Sequence, residues 1–211
     1  MNIPWTTADI YELVKVLATV CTAAAAVVGV QTARAGLTKW RSESLGKRKT
    51  ELAEQVLSGA YEVRDAFMWV RTPAFGGREG ESRPPEGNES DALRKLRNDF
   101  FIPIERLNNS REVFAKLQAL RYTVGAHFGQ DAMKPLAALL EARRAIVSAA
   151  SLLITNAHFA EDHAAAHSLV PLREALGWSD KRPDKLDEQV EAAVAAVEAF
   201  CRPVLSERPN K

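Results

Sequence analysis

The longest uncharged stretch of the chain lies near its N-terminus, where the 18 residues from Val16 to Ala33 carry no formal charge. An α-helix needs about 20 mostly apolar residues to cross a bilayer core of about 30 Å. The segment from Leu13 to Ala33 meets that length, and Lys15 near its start can extend its ammonium group to the interface. The pattern therefore predicts one transmembrane helix over residues 13–33.

The apolar content of this segment is modest. Between Val16 and Ala33 its strongly apolar residues are five valines and one leucine, which together contribute roughly −2 to −3.5 kcal/mol to membrane insertion. Two alternatives therefore stay open. Ala33-Arg34-Ala35 resembles a signal-peptide cleavage site, and a buried alanine-rich core helix has a similar composition. The acidic Asp9 and Glu12 before the segment, and the basic residues after it, argue against a signal peptide.

A cluster of basic residues follows the apolar segment and comprises Arg34, Lys39, Arg41, Lys47, Arg48 and Lys49. Lys and Arg beside a span are retained on the cytoplasmic side. We therefore expect a single-pass membrane protein with its N-terminus outside and its body in the cytoplasm. The same charges attract anionic lipids by about 1 kcal/mol each near the surface, or they set the topology alone. The lipid bilayer is the first expected partner.

Small residues share one face of the predicted span. They are Ala18, Thr22, Ala26, Gly29 and Ala33. Small residues spaced by three and four allow helix backbones to approach closely in lipid. The face predicts association with a second copy or with another membrane protein, although an alanine-rich helix presents such a face by chance as well.

The rest of the chain repeats apolar residues at intervals of three and four, which is the period of an amphipathic helix. One such seam comprises Leu52, Val56, Ala60, Val63, Phe67 and Val70. Similar seams occupy residues 91–107, 111–128, 131–157 and 184–204, and a short helix is predicted over 168–176. Abundant alanine favours helix over strand. The predicted fold is all-α, with a single N-terminal transmembrane helix followed by a soluble bundle of about five helices.

The predicted organisation has five parts: a short N-terminal segment 1–12, the transmembrane helix 13–33, a basic juxtamembrane connector 34–49, a cytoplasmic bundle 50–205 with a long loop at 74–91, and a tail 206–211. The loop contains four glycines and two prolines, which interrupt helices. We expect it to be mobile and solvated, with a partner-binding or substrate-covering loop as the alternative.

The overall charge excludes one class of partner. The net charge is +1, and no basic stripe with interleaved aromatic residues occurs in the sequence, so we expect no nucleic-acid partner. Charged residues gather near the glycine-rich loop at Arg64, Asp65, Arg71, Arg78, Glu79, Glu81 and Arg83. This cluster is expected to form a solvated face, and an anion-binding site is the alternative.

Histidines and carboxylates cluster after the fourth seam, at His158, Glu161, Asp162, His163 and His167. In a helix, His163 and His167 would lie one turn apart on one face, and imidazole with carboxylate can ligate a transition metal. The spacing matches neither the two-histidine motif of metalloproteases nor a di-iron carboxylate pattern. A polar connector is the simpler interpretation, and metal binding is the alternative.

No nucleophile, dinucleotide-binding or metalloprotease motif occurs in the sequence. This leans against an enzyme and gives no reason to expect a cofactor. We expect a non-enzymatic scaffold that binds a protein partner, or itself, at the membrane. The alternatives are a membrane-tethered metal-dependent enzyme or sensor using the histidine cluster, and an exported helical protein with a cleaved signal peptide.

Overall fold

The computed structural model describes residues 7–73, 76–159, 167–179 and 181–206. The secondary structure of these residues is helical and contains no strand. In chain order the α-helices are α1 (Thr7–Val70), α2 (Asp91–Asn109), α3 (Arg111–Phe128), α4 (Met133–Thr155), α5 (Val170–Ala175) and α6 (Lys185–Ser206), with single 3-10 turns at Gln130–Ala132 and Ala157–Phe159. The expected all-α class is therefore observed.

Helix α1 differs from the prediction because it has no break at the basic connector. Gly36, Gly46 and Thr50 all lie inside it, so Thr50 does not cap a new helix. The connector is otherwise rich in Lys, Arg, Leu and Glu, which are good helix formers, and one glycine costs a helix only about 1 kcal/mol. Residues 1–48 and 49–210 form two separate compact units, and each is described by itself below.

The core of the second unit is centred on α4. Helices α2, α3, α5 and α6 all contact α4. The buried residues of α4 are Leu136, Leu139, Ala142, Ile146, Ala149, Ala150 and Leu153. Leu140, Val147 and Ile154, which belong to the same predicted apolar seam, are only half-buried. The centre of the buried face therefore runs through Leu139, Ile146 and Leu153, because helices pack on α4 from several sides.

Helix ends follow the local sequence signals closely. The Ser90 hydroxyl accepts a hydrogen bond from the Leu93 amide at 3.2 Å, which caps α2 at its predicted start. Gly129 ends α3 with a φ of 90°, a conformation that favours glycine. Asp184 caps α6, since its carboxylate accepts hydrogen bonds from the Leu186 and Asp187 amides at 2.9 and 3.1 Å.

The glycine-rich loop is fastened to α2, in contrast to the mobile loop expected from composition, although most of its described residues are exposed as expected. Glu105 accepts hydrogen bonds from the Gly80 amide and the Ser82 hydroxyl at 2.5 and 2.6 Å. Gly80 has a φ of 85°, and a Cβ there would overlap the Asn98 carbonyl. The described part of the loop, from residue 76, is thus a fixed element with only glycine tolerated at this contact.

The core predicts a contrast between two neighbouring leucines. Leu153→Ala removes a fully buried side chain and should lower the free energy of unfolding by about 2–5 kcal/mol. Leu152 is 46% exposed, so Leu152→Ala should change it by less than about 1 kcal/mol. Urea unfolding of the full chain in a non-ionic detergent, followed by tryptophan fluorescence, measures both. Equal effects would show that α4 buries a different face.

Candidate membrane segment and charged clusters of the body

The first part of α1 exposes apolar side chains around its whole circumference. Every side chain from residue 10 to residue 48 is exposed. The apolar ones include Leu13, Leu17, Val20, Val27, Val28 and Val30, each more than half exposed. A helix on the surface of a soluble domain buries one apolar stripe and exposes a polar stripe to water. This segment does neither, and α1 is long and apolar enough to cross a membrane by length and composition.

The threonine hydroxyls inside this segment are satisfied by the helix itself. The hydroxyls of Thr19, Thr22 and Thr32 each donate to a backbone carbonyl one turn earlier, at 2.9, 2.8 and 2.6 Å. An unsatisfied donor in hydrocarbon costs several kcal/mol. The threonines therefore add no unpaired hydrogen-bonding group to the surface of the segment.

The small residues predicted to form one face do share a side of the helix. At 100° per residue, Ala18, Thr22, Ala26, Gly29 and Ala33 fall within an arc of about 80°. The Thr22 hydroxyl is turned to the Ala18 carbonyl and does not project as a free donor. Nothing lies within 4 Å of the position of a Cβ on Gly29. The face is smooth and open.

The basic cluster that follows lies mostly on the exposed surface of α1. Arg34, Lys39, Arg41, Lys47 and Arg48 are exposed, and Lys49 is half-buried. The ion pair recorded for this cluster joins Lys39 to Glu43 at 3.9 Å, with both side chains well exposed. Such a pair is weak in water. The cluster therefore keeps a strong net positive charge.

The histidine cluster is described only in part. His158 and His167 are exposed, and the His158 ring lies 3.9 Å from that of Phe159 between centroids. Glu161, Asp162 and His163 lie outside the described residues. Within residues 7–73, 76–159, 167–179 and 181–206, no three His, Cys, Asp or Glu residues are grouped as metal ligands. Metal binding by the full cluster stays a prediction.

Two members of the charged cluster near the loop are buried, which corrects the expectation of a solvated face. The Arg71 guanidinium, 1% exposed, forms ion pairs with Asp184 and Asp187 at the start of α6. It also donates to the backbone carbonyls of Glu174 and Ala175 at 2.9 and 3.1 Å. These contacts join the end of α1 to α5 and α6.

The backbone around Arg71 is equally constrained. Gly177 has a φ of 82°, and a Cβ there would lie 2.5 Å from the Arg71 carbonyl oxygen. Arg182 donates to both carboxylate oxygens of Asp187, at 3.0 and 2.7 Å. Burial opposes ionisation of Asp187, but the hydrogen bonds from Arg182 and the Asp184 amide, with the charge of Arg71, hold its pKa below the ordinary range.

A second buried arginine, Arg106 on α2, secures the loop. It donates to both carboxylate oxygens of Glu79, at 3.0 and 2.7 Å, and to the carbonyls of Trp69 and Thr72 at 3.0 and 2.8 Å. The hydrogen bonds from Arg106, and then from the Gly76 amide, hold the pKa of Glu79 below its ordinary value. Arg106 thus fixes the loop to the end of α1.

A third buried arginine, Arg83, lies within the loop and pairs with Glu89. Its Nε donates to the Asn98 side chain at 3.0 Å, and Arg97 pairs with the same Glu89 carboxylate from α2. Arg71, Arg83 and Arg106 are therefore neutralised by carboxylates of the chain itself. These three arginines therefore offer no unpaired cation to an anionic ligand. They do not support the alternative expectation of an anion-binding site at this cluster.

Comparisons of the chain with protein-family models, with curated proteins and with solved structures find no match. A function for this protein therefore has to be inferred from the chemistry of its own residues. Sequence patterns located the apolar segment, its small face and its basic flank. They missed the burial of Arg71, Arg83 and Arg106, because their partners on other elements cannot be identified from helical periodicity.

The Arg71 cluster predicts a large loss of stability on removal of one charge. Arg71→Gln leaves Asp184 buried without its cation and should lower the free energy of unfolding by about 3–5 kcal/mol. Arg94→Gln is the matched control, since Arg94 pairs with Asp91 at 2.8 Å on the exposed surface of α2. It should cost at most about 1 kcal/mol. Chemical unfolding compares them, and a similar small loss in both would contradict a structural role for Arg71.

Proposed function

We propose that the protein is a single-pass membrane protein whose helical bundle acts as a non-enzymatic interaction or scaffold module at the cytoplasmic face. The observation that carries this proposal is the continuous exposure of apolar side chains on every side of residues 10–33. Water disfavours such a surface by about 25 cal/mol per Å² of apolar area. A bilayer removes this penalty, and the self-satisfied threonines suit the same medium.

The charges on either side of the segment support an orientation. The basic cluster 34–49 is exposed and follows the apolar segment, whereas Lys15 is the one basic side chain among residues 1–33. We therefore propose that the N-terminus lies outside and that residues 50–205 lie in the cytoplasm. The cluster then faces the anionic leaflet, where it adds to the binding energy of the anchor.

The small face supports a role beyond anchoring. The strongly apolar residues of the segment are few, so insertion is favoured by only roughly 2 to 3.5 kcal/mol. Close packing against a second helix adds dispersion contacts that lipid tails do not match at a smooth face. We propose that residues 18–33 associate with a second copy of the chain, or with the span of another membrane protein.

Two native cysteines provide a test of the anchor. Cys201 is buried, and burial raises the pKa of its thiol to about 11, so a charged maleimide should not react with it. Cys21 is exposed on α1 and should be shielded only if lipid surrounds the segment. In intact membranes we expect no labelling of the wild-type chain. Labelling of Cys21 there would contradict the anchor.

Two variants control the reagent and report the orientation. Thr7→Cys should be labelled from outside intact cells, and Ser42→Cys only after the cytoplasmic face is opened. A reversed pattern would overturn the proposed orientation. In the same membranes, Val20→Lys with Val27→Lys should release the protein into the soluble fraction, because each central lysine costs about 2.5–3.5 kcal/mol. Leu37→Lys with Leu45→Lys, outside the segment, should leave the chain in the membrane pellet.

The small face predicts a separate effect on assembly. Replacing Ala18, Ala26 and Gly29 with leucine should strengthen insertion but reduce association, because the larger side chains keep the backbones apart. The control replaces Val16, Val20 and Val27 with leucine, about 150° away on the helix. Co-purification of two differently tagged full-length chains, and cross-linking in native membranes, measure association. Unchanged assembly in the first variant would reduce the segment to a simple anchor.

A further inference from the structure

A groove between α3 and α4 is lined by four arginines, of which three have no carboxylate partner among the described residues. Its volume is about 320 Å³, and its lining includes Arg111, Phe114 and Arg121 of α3 with Leu140, Arg143 and Arg144 of α4. On α3 these residues lie three, seven or ten positions apart, and on α4 both arginines lie three or four positions after Leu140, so each set faces the groove from one side of its helix. Four guanidinium groups therefore converge on one small groove.

Carboxylates do not balance these charges. Arg144 pairs with Glu141 at 3.3 Å, and both side chains are well exposed. No ion pair joins Arg111, Arg121 or Arg143 to a carboxylate in the described part of the chain. Three positive charges of the groove thus have no carboxylate partner within residues 7–73, 76–159, 167–179 and 181–206. This contrasts with Arg71, Arg83 and Arg106, whose charges are matched by carboxylates.

Aromatic rings, instead of acids, contact the guanidinium groups of Arg121 and Arg143, which are the two inner arginines of the groove. The Arg143 guanidinium carbon lies 5.5 Å from the centre of the Phe114 ring, and that of Arg121 lies 5.1 Å from the centre of the Tyr122 ring. Phe114 is itself fixed in the core, where it meets Phe67 edge-on at 5.2 Å. A ring face orients a guanidinium and leaves its hydrogen-bond donors and its charge available.

The donors themselves are incompletely satisfied. The Nε atoms of Arg121 and Arg143 are buried and have no hydrogen-bond partner. Both side chains are half-buried, so they do not have the full hydration of a surface arginine. A half-buried cation without its full set of hydrogen-bond partners lowers the stability of the fold. A bound anion would accept hydrogen bonds from these donors and would offset that loss of stability.

We propose that this groove binds the phosphate group of a small ligand. The guanidinium fork matches the spacing of phosphate oxygens and donates two parallel hydrogen bonds. Three uncompensated positive charges suit an anion of two or more negative charges. The groove is at the small end of ligand sites, which places a phosphate with a small attached group within its size range. The phosphate belongs either to a soluble molecule or to a lipid headgroup.

The test uses the full chain in micelles of an uncharged detergent. Inorganic phosphate is compared with sodium chloride at equal ionic strength, and calorimetry with thermal unfolding measures binding. We expect saturable binding and a rise in melting temperature with phosphate alone. A second arm replaces phosphate with short-chain phosphatidic acid in the micelle, and short-chain phosphatidylcholine is its control. A response confined to the second arm assigns the site to a lipid headgroup.

The variants separate the groove from general charge. Arg121→Gln and Arg143→Gln should each weaken binding about tenfold or more. Arg173→Gln is the matched control, because Arg173 on α5 is also half-buried, its Nε is also buried and without a partner, and it lies outside the groove lining. It should bind like the wild type. Without ligand, the two groove variants should melt no lower than the wild type, since no partner carboxylate is left behind.

The exposed Arg111 keeps the test decisive if an inner variant fails to fold. Arg111→Gln changes a side chain that contributes nothing to the core, and it should weaken phosphate binding several-fold while the melting temperature without phosphate stays the same. Equal responses to phosphate and chloride in the wild type, with no response to phosphatidic acid, would overturn the proposal. Undiminished binding in the Arg121→Gln, Arg143→Gln double variant, or equal losses in Arg173→Gln, would overturn it as well.

Discussion

The ion pairs of Arg71 join parts of the body that are far apart in sequence. The guanidinium at the end of α1 reaches Asp184, 113 residues away, and the carbonyls at the end of α5. A buried cation without a partner costs several kcal/mol, so α1, α5 and the start of α6 must meet for the fold to be stable. Gly177 is required at the same place because its backbone touches that of Arg71.

The same physical rule distinguishes two classes of arginine in this body. Arg71, Arg83 and Arg106 are buried and matched by carboxylates, so they stabilise the arrangement of helices and loop and leave no charge for a ligand. Arg121 and Arg143 are half-buried, are held by aromatic rings and keep their charge. The structural arginines are thus paired with carboxylates, whereas Arg121 and Arg143 of the proposed phosphate site have no carboxylate partner among the described residues.

The first part of α1 obeys the complementary rule for apolar surface. Its valines and leucines are exposed on every side, and its threonines bond to their own helix. Such a surface is unfavourable in water and favourable in hydrocarbon. The basic residues that follow are mostly exposed and outnumber the acidic ones between residues 34 and 49, which favours the surface of an anionic membrane. Anchor, flank and body are therefore suited to three different environments.

Local signals in the sequence determined the helices and many of their ends, because helix periodicity and caps depend on residues only three or four positions apart. Ser90, Gly129 and Asp184 act at the ends where the sequence predicted them. The apolar segment could also be predicted from the sequence, because its length and composition do not depend on a partner within the chain. Tertiary structure alone decided that Arg71 is buried, that the glycine-rich loop is fixed to α2 and that arginines of α3 and α4 meet in one groove. Each of these depends on side chains from separate elements, and their encounter is set by packing around α4, which no local pattern encodes.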